Sequence, residues 1–119
     1  MNLNLSAKQS PRFENDKIMW YEGDTFQITW DINLTDADTG DEITLSPLDD
    51  IIFRFYKANK SLLHEFVVKV NSEGKVVLDF NTEISKKFIA GSYTYSIKYK
   101  GVDTTTIATN GKVEVESCQ

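Results

Sequence analysis

Tyr93, Tyr95, Ile97 and Tyr99 alternate with Thr94, Ser96, Lys98 and Lys100, and no other feature narrows the folding choices of this chain as much. Side chains two residues apart share one side of an extended backbone, so the run has one apolar and one polar face. The pattern predicts a half-buried strand in the middle of a sheet. Just before it, Ile84, Phe88 and Ile89 stand at near-helical spacing and predict one short helical turn. Gly91 permits the bend from that turn into the strand.

The same period recurs along the chain. Lys17 to Tyr21 reads as a short strand closed by the turn Glu22-Gly23-Asp24. Phe26, Ile28, Trp30, Ile32 and Leu34 then face inward, with Thr25, Gln27, Thr29, Asp31 and Asn33 outward. Ile51 to Ala58 puts Ile51, Phe53 and Phe55 on one face and Arg54 and Tyr56 on the other. Leu62 to Val70 sets His64, Phe66, Val68 and Val70 against Glu65, Val67 and Lys69. The turn Ser72-Glu73-Gly74 is expected to fold that strand back on Val76, Leu78 and Phe80 as a hairpin.

Between residues 35 and 50 lie six acids and no base, with Gly40 and Pro47 as turn residues. This predicts a long acidic loop or hairpin tip, pinned down by Leu45 and Leu48. The turn Lys100-Gly101-Val102-Asp103 leads into the last segment, Thr104 to Glu116. There Asn110-Gly111 favours a two-residue hairpin, but that turn would put Ile107 opposite Glu114, a core residue on the same face as a charge. One continuous strand, with Asn110-Gly111 as a bulge or bend, keeps Ile107, Val113 and Val115 on a shared face. Seven or eight short strands and one helical turn read as an antiparallel β-sandwich.

The length of 119 residues, with 40% hydrophobic and 26% charged residues, is that of one globular domain. We divide it into a loosely ordered N-terminal arm at 1–16, anchored only by Leu3, Leu5 and Phe13 and able to add an edge strand, and a single sandwich domain at 17–117. A net charge of −5 argues against phosphate-backbone binding, so no nucleic-acid partner is expected. No run approaches the roughly 18 apolar residues of a membrane helix. Met1-Asn2-Leu3-Asn4-Leu5 lacks the charged start and apolar block of a signal peptide, so the chain is expected to be made and kept in the cytoplasm. Cys118, the single cysteine, can make no internal disulfide and reads as an exposed terminal thiol.

Catalytic chemistry finds little purchase. His64 is the one histidine and sits at a strand position, so neither a Ser-His-Asp nor a Cys-His system comes together. No carboxylate spacing singles out a glycosidase pair. Asp36-Ala37-Asp38-Thr39-Gly40-Asp41 partly follows a calcium loop, but its glycine is one residue early and the twelfth position is Pro47, so it reads as a solvated acidic turn. No catalytic residue, metal ligand or cofactor is assigned. Sugar-holding sandwiches use exposed aromatic rings. Trp30 and Tyr95 alternate inward, whereas Trp20, Tyr21 and Tyr56 either pack in the core and rim or form an exposed patch for a cell-surface glycan.

The runs Tyr21-Glu22-Gly23-Asp24-Thr25-Phe26-Gln27-Ile28-Thr29-Trp30, Leu45 and Asp49 before Ile51-Ile52-Phe53-Arg54-Phe55, Gly91-Ser92-Tyr93-Thr94-Tyr95 and Gly111-Lys112-Val113-Glu114-Val115 together resemble a known group. From about Trp20 to Glu116 the chain resembles the small immunoglobulin-like β-sandwich domains of phage tails and baseplates, such as the N-terminal domains of baseplate upper proteins and stand-alone tail sandwich proteins. The resemblance implies an immunoglobulin-like fold in which Tyr93 sends its hydroxyl back to nearby backbone and Tyr95 takes the place of a disulfide cysteine. It also implies a non-enzymatic virion component whose partners are other tail proteins or further copies of itself. Baseplate upper proteins continue into a stalk, and this sequence stops at Gln119, so it resembles an excised domain or a stand-alone member. The whole final strand, Thr104 to Glu116, is the expected docking edge, which Thr106→Pro is expected to block, and a carbohydrate-binding module using Trp20, Tyr21 or Tyr56 is the alternative.

Overall fold

A computed structural model describes residues 10–14, 16–36, 38–100 and 105–117, with 105–109 by backbone alone. Residues 1–9 of the expected arm, the turn at 101–103 and Cys118 lie outside the described residues. Among the described residues ten strands and one helical turn follow one another: β1 (Arg12–Glu14), β2 (Lys17–Tyr21), β3 (Phe26–Asp31), β4 (Leu34–Thr35), β5 (Glu42–Ile43), β6 (Asp50–Lys57), β7 (Leu62–Val68), β8 (Lys75–Phe80), α1 (Thr82–Ser85), β9 (Gly91–Lys100) and β10 (Thr105–Glu116). Ten exceeds the expected seven or eight, and three of them are very short: β1 fits the edge strand allowed to the arm, and β4 and β5 form the acidic hairpin. The alternation from Phe26 is cut after Asp31, so Leu34 belongs to β4 instead of β3.

The chain is all-β and sandwich-like. Six strands form one sheet in the order β1-β2-β10-β9-β6-β7, and β3 and β8 pair as a second, two-stranded sheet. β9 is central, with β10 on one side along its length and β6 on the other from Tyr93 to Lys100. The expectation of a purely antiparallel sheet is amended at one place, where β2 runs parallel to β10 with Ile18 beside Val113 and Trp20 beside Val115. After β2 the chain turns at Glu22-Gly23-Asp24 and leaves for the other sheet, so β2 need not double back on a neighbour. The backbone N–H of Glu22 still donates to the carbonyl of Glu116, at 2.8 Å, and extends the parallel ladder.

The expected hairpin from Leu62 to Phe80 is also corrected. The turn at 71–74 forms, with the Asn71 side chain accepting from the N–H groups of Glu73 and Lys75. Yet β7 pairs with β6, and β8 pairs with β3. Both strands carry apolar inner faces, and the turn sets these faces opposite each other across the core instead of side by side.

Phe80 joins the two layers. It is fully buried at 0% exposure. Its ring lies 5.1 Å from that of Trp20, 4.8 Å from Phe26, 5.7 Å from Phe55, 5.2 Å from Phe66 and 5.8 Å from Phe88. Stacked, tilted and edge-on aromatic contacts of this kind add to the free energy of burial itself. A second stack, Trp30 on Phe53 at 4.8 Å, joins β3 to β6. The helical corner is capped by Asn81, whose side chain accepts from the N–H of Ile84. Past it, Gly91 takes φ 155° and β9 begins. Tyr93 then donates its hydroxyl to the carbonyl of Ile89 at 2.6 Å, the back-bond that the sequence resemblance implies.

β10 is one continuous strand, as parity required. Its irregularity lies between Ile107 and Thr109 instead of at Asn110-Gly111. Gly111 has a different reason: it pairs directly with Tyr95 on the inner face, and a Cβ there would meet the Tyr95 Oη at 2.5 Å and Cζ at 2.6 Å. The ring lies over the glycine and covers the gap in the sheet.

Of the two leucines expected to pin the acidic loop, one does so, and a polar residue takes the place of the other. Leu45 packs against the core, but Leu48 is 80% exposed. Asp49 is buried, and its carboxylate accepts from the Ser46 N–H at 3.0 Å and the Tyr99 hydroxyl at 2.8 Å.

Two stability outcomes follow from this packing. Phe80→Ala should cost about 3–5 kcal/mol, read as a fall in the urea midpoint; a loss below about 1 kcal/mol would mean that this ring does not couple the sheets. Gly111→Ala must displace the Tyr95 ring and should cost about 1–3 kcal/mol, whereas Lys112→Ala, on the outer face, should be near neutral. Equal effects at the two positions would remove the steric argument.

Candidate functional site

The aromatic residues singled out in the sequence do not form one platform. Trp20 is 1% exposed, with its ring 5.0 Å from Phe26 and 5.4 Å from Phe88, so it belongs to the core and not to a surface patch. Tyr21, on the opposite face of β2, is buried too, with the Arg12 guanidinium 5.1 Å from its ring centre. Tyr56 is half-buried on the outer face of β6, three strand spacings or about 14 Å across the sheet from β2. It borders a shallow hollow of about 460 Å³ with Asp16, Tyr95 and Lys112. Trp30 and Tyr95, expected inside, pack against each other and against Phe53 and Phe55.

Strand edges are the more informative feature. Residues Lys112–Glu116 of β10 lie between β2 and β9, so that half of the final strand is interior and the expectation of a docking edge along all of it is corrected. β2 begins only at Lys17, opposite Lys112. Thr106 therefore lies in the half of β10 that, among the described residues, pairs with β9 alone, opposite Tyr99.

β7 is the other end of the sheet, and its outer side pairs with no strand among the described residues. An unpaired edge offers a row of backbone donors and acceptors to another strand. Three large apolar side chains stand out beside this edge. Leu62 and Val67 on β7 are 52% and 55% exposed, and Leu48 is held close by, its carbonyl accepting from Lys69 Nζ at 3.1 Å. Two ion pairs bracket Val67 on the same face: Arg54 with Glu65 at 2.7 Å, and Lys69 with Asp50 at 2.6 Å. The Glu65 bond is also the main reason that the Arg54 guanidinium holds its proton more firmly than usual.

Sequence reasoning missed this edge because it paired β7 with β8. The available signal was Val67, an apolar residue between Glu65 and Lys69 on the polar face of the alternation.

On the inner face at the other end of β7, His64 packs edge-on against Phe66 at 4.5 Å, and Lys87 Nζ donates to its Nδ1 at 3.1 Å. Burial, and then the positive charge of Lys87, lower its pKa from the ordinary 6.5. Among the described residues no group of three or more His, Cys, Asp or Glu side chains is placed to hold a metal ion. The Asp36 side chain accepts from the N–H groups of Asp38 and Thr39 and so closes its own turn. Among those residues, too, no helix is long and apolar enough to cross a membrane.

No protein-family model matches the chain, and no curated protein matches it.

The histidine sets a pH dependence. Its folded pKa is depressed, so the unfolded chain binds the proton more readily, and stability is lost as pH falls below 6.5 toward the folded value. The urea midpoint of the native chain should therefore drop more steeply below that pH than the midpoint of His64→Gln. Parallel profiles would exclude His64 as the source.

Proposed function

We propose that the chain is a non-enzymatic structural module of a phage or prophage tail or baseplate, attached to its neighbours through open edges of its six-stranded sheet. The carrying observation is the edge of β7: seven residues, unpaired on one side among the described residues, with apolar side chains exposed beside it. Addition of an extended segment to such an edge provides backbone hydrogen bonds for affinity and leaves alternate side chains to select the partner. The half of β10 around Thr106 is a second edge of the same kind.

The setting rests on the resemblance of residues 20–116 to tail sandwich domains. It draws support from the Tyr93 hydroxyl bond to Ile89, the corner expected of an immunoglobulin-like domain, and from Tyr95 two residues later facing Trp30 between the sheets. In this reading the chain is made in the host cytoplasm and ends in the virion.

Tailed particles induced from the strain that encodes the chain, banded on a density gradient and labelled with antibody, should carry it on their tails. Its absence from washed particles, with the chain abundant in the cell, would overturn the tail assignment.

A further inference from the structure

We propose that the partner of the β7 edge is a second copy of this chain, joined antiparallel across a two-fold axis at Val67. This rests on the reading of the strand edge as a docking surface and adds the identity and register of what docks.

The argument is one of charge. A two-fold perpendicular to the sheet keeps the outer faces of both copies on the same side, so residues on that face meet only one another. Centring on Val67 sets Glu65 opposite Lys69 of the partner subunit, and the reverse. Across the junction the outer face then reads Arg54, Glu65, the partner's Lys69 and the partner's Asp50, with alternating sign at every step. The first two already pair within one chain, as do the last two.

Neighbouring registers lose this. Centring on Glu65 places the two Glu65 carboxylates together, and centring on Phe66 sets Glu65 against Val67. Like charges directly opposite in a sheet are destabilising, and opposite charges favourable. In the Val67 register Phe66 faces the partner's Val68 on the inner side, and the two Val67 side chains, each 55% exposed alone, cover each other. Residues 66–68 pair strand to strand, with Glu65 and Lys69 meeting just beyond them, well short of a standard interface, so the dimer forms in a concentration-dependent way.

The test uses the full chain with Cys118→Ser and one added cysteine. Directly opposed residues in an antiparallel pair have Cβ atoms about 4.5–5.5 Å apart, close enough for a disulfide with slight adjustment. Under mild oxidation with diamide, Val67→Cys should form covalent dimers roughly tenfold faster than Val77→Cys, which is exposed on β8 in the other sheet. Light scattering of the unmodified chain over a concentration series should show a rise toward twice the monomer mass.

A strictly monomeric chain, or equal cross-linking of the two variants, would overturn the proposal. Either result leaves the particle labelling unaffected: a chain found on tails but monomeric in solution would dock on a different protein. A chain that dimerises through Val67 but is absent from particles would keep the dimer and remove the tail.

Discussion

Everything in this fold depends on the meeting of five rings around Phe80. The two-stranded sheet of β3 and β8 is too narrow to cover a six-stranded sheet by area alone, and an isolated strand pair is marginally stable in water. Phe80 compensates by reaching rings on β2, β3, β6 and β7 and on the corner after α1. The hydrophobic effect brings these residues inside, and the stacked, tilted and edge-on ring geometry fixes how the layers sit. Trp30 on Phe53 repeats the device between β3 and β6.

With the layers fixed there, the periphery becomes a matter of local bonds. The Asp49 carboxylate orders the loop before β6, and the bond from Tyr99 is the chief cause of the upward pKa shift of that phenol. Tyr93 closes the corner before β9, and its own upward shift comes first from burial. Four cross-strand ion pairs lie along the outer face of the large sheet. Each is exposed enough to contribute little alone. Their weight lies in register, where they penalise a slipped pairing.

Much of this was legible in the residues. The alternation of Tyr93 to Tyr99 and of Ile51 to Phe55 is local information, and local period is what a sheet face requires. Parity also decided the continuity of β10. The missing parts are those that depend on distant segments. Lys17 to Tyr21 is buried on both faces, so it has no polar side to reveal which way Trp20 points. The turn at 71–74 has hairpin chemistry, but whether it joins neighbours in one sheet or crosses between two is decided by the core. Leu48 reads as an anchor and Asp49 as one of six acids in a loop; the phenol that holds Asp49 inside is 50 residues away. The open edge of β7 was hidden for the same reason, since assigning a neighbour to β7 removes it from the rim.

The parallel contact between β2 and β10 bears on how this domain carries force. Tension drawn through the backbone ahead of β1 and beyond β10 would first part the three β1 pairs, one after another, as an antiparallel ribbon unzips. The load would then fall on Lys17–Tyr21 against Lys112–Glu116, two strands pointing the same way. Pulled from opposite ends, such strands slide along each other, and all their hydrogen bonds are strained together instead of in turn. β2 and the last strand thus form a clasp that resists stretching along the chain.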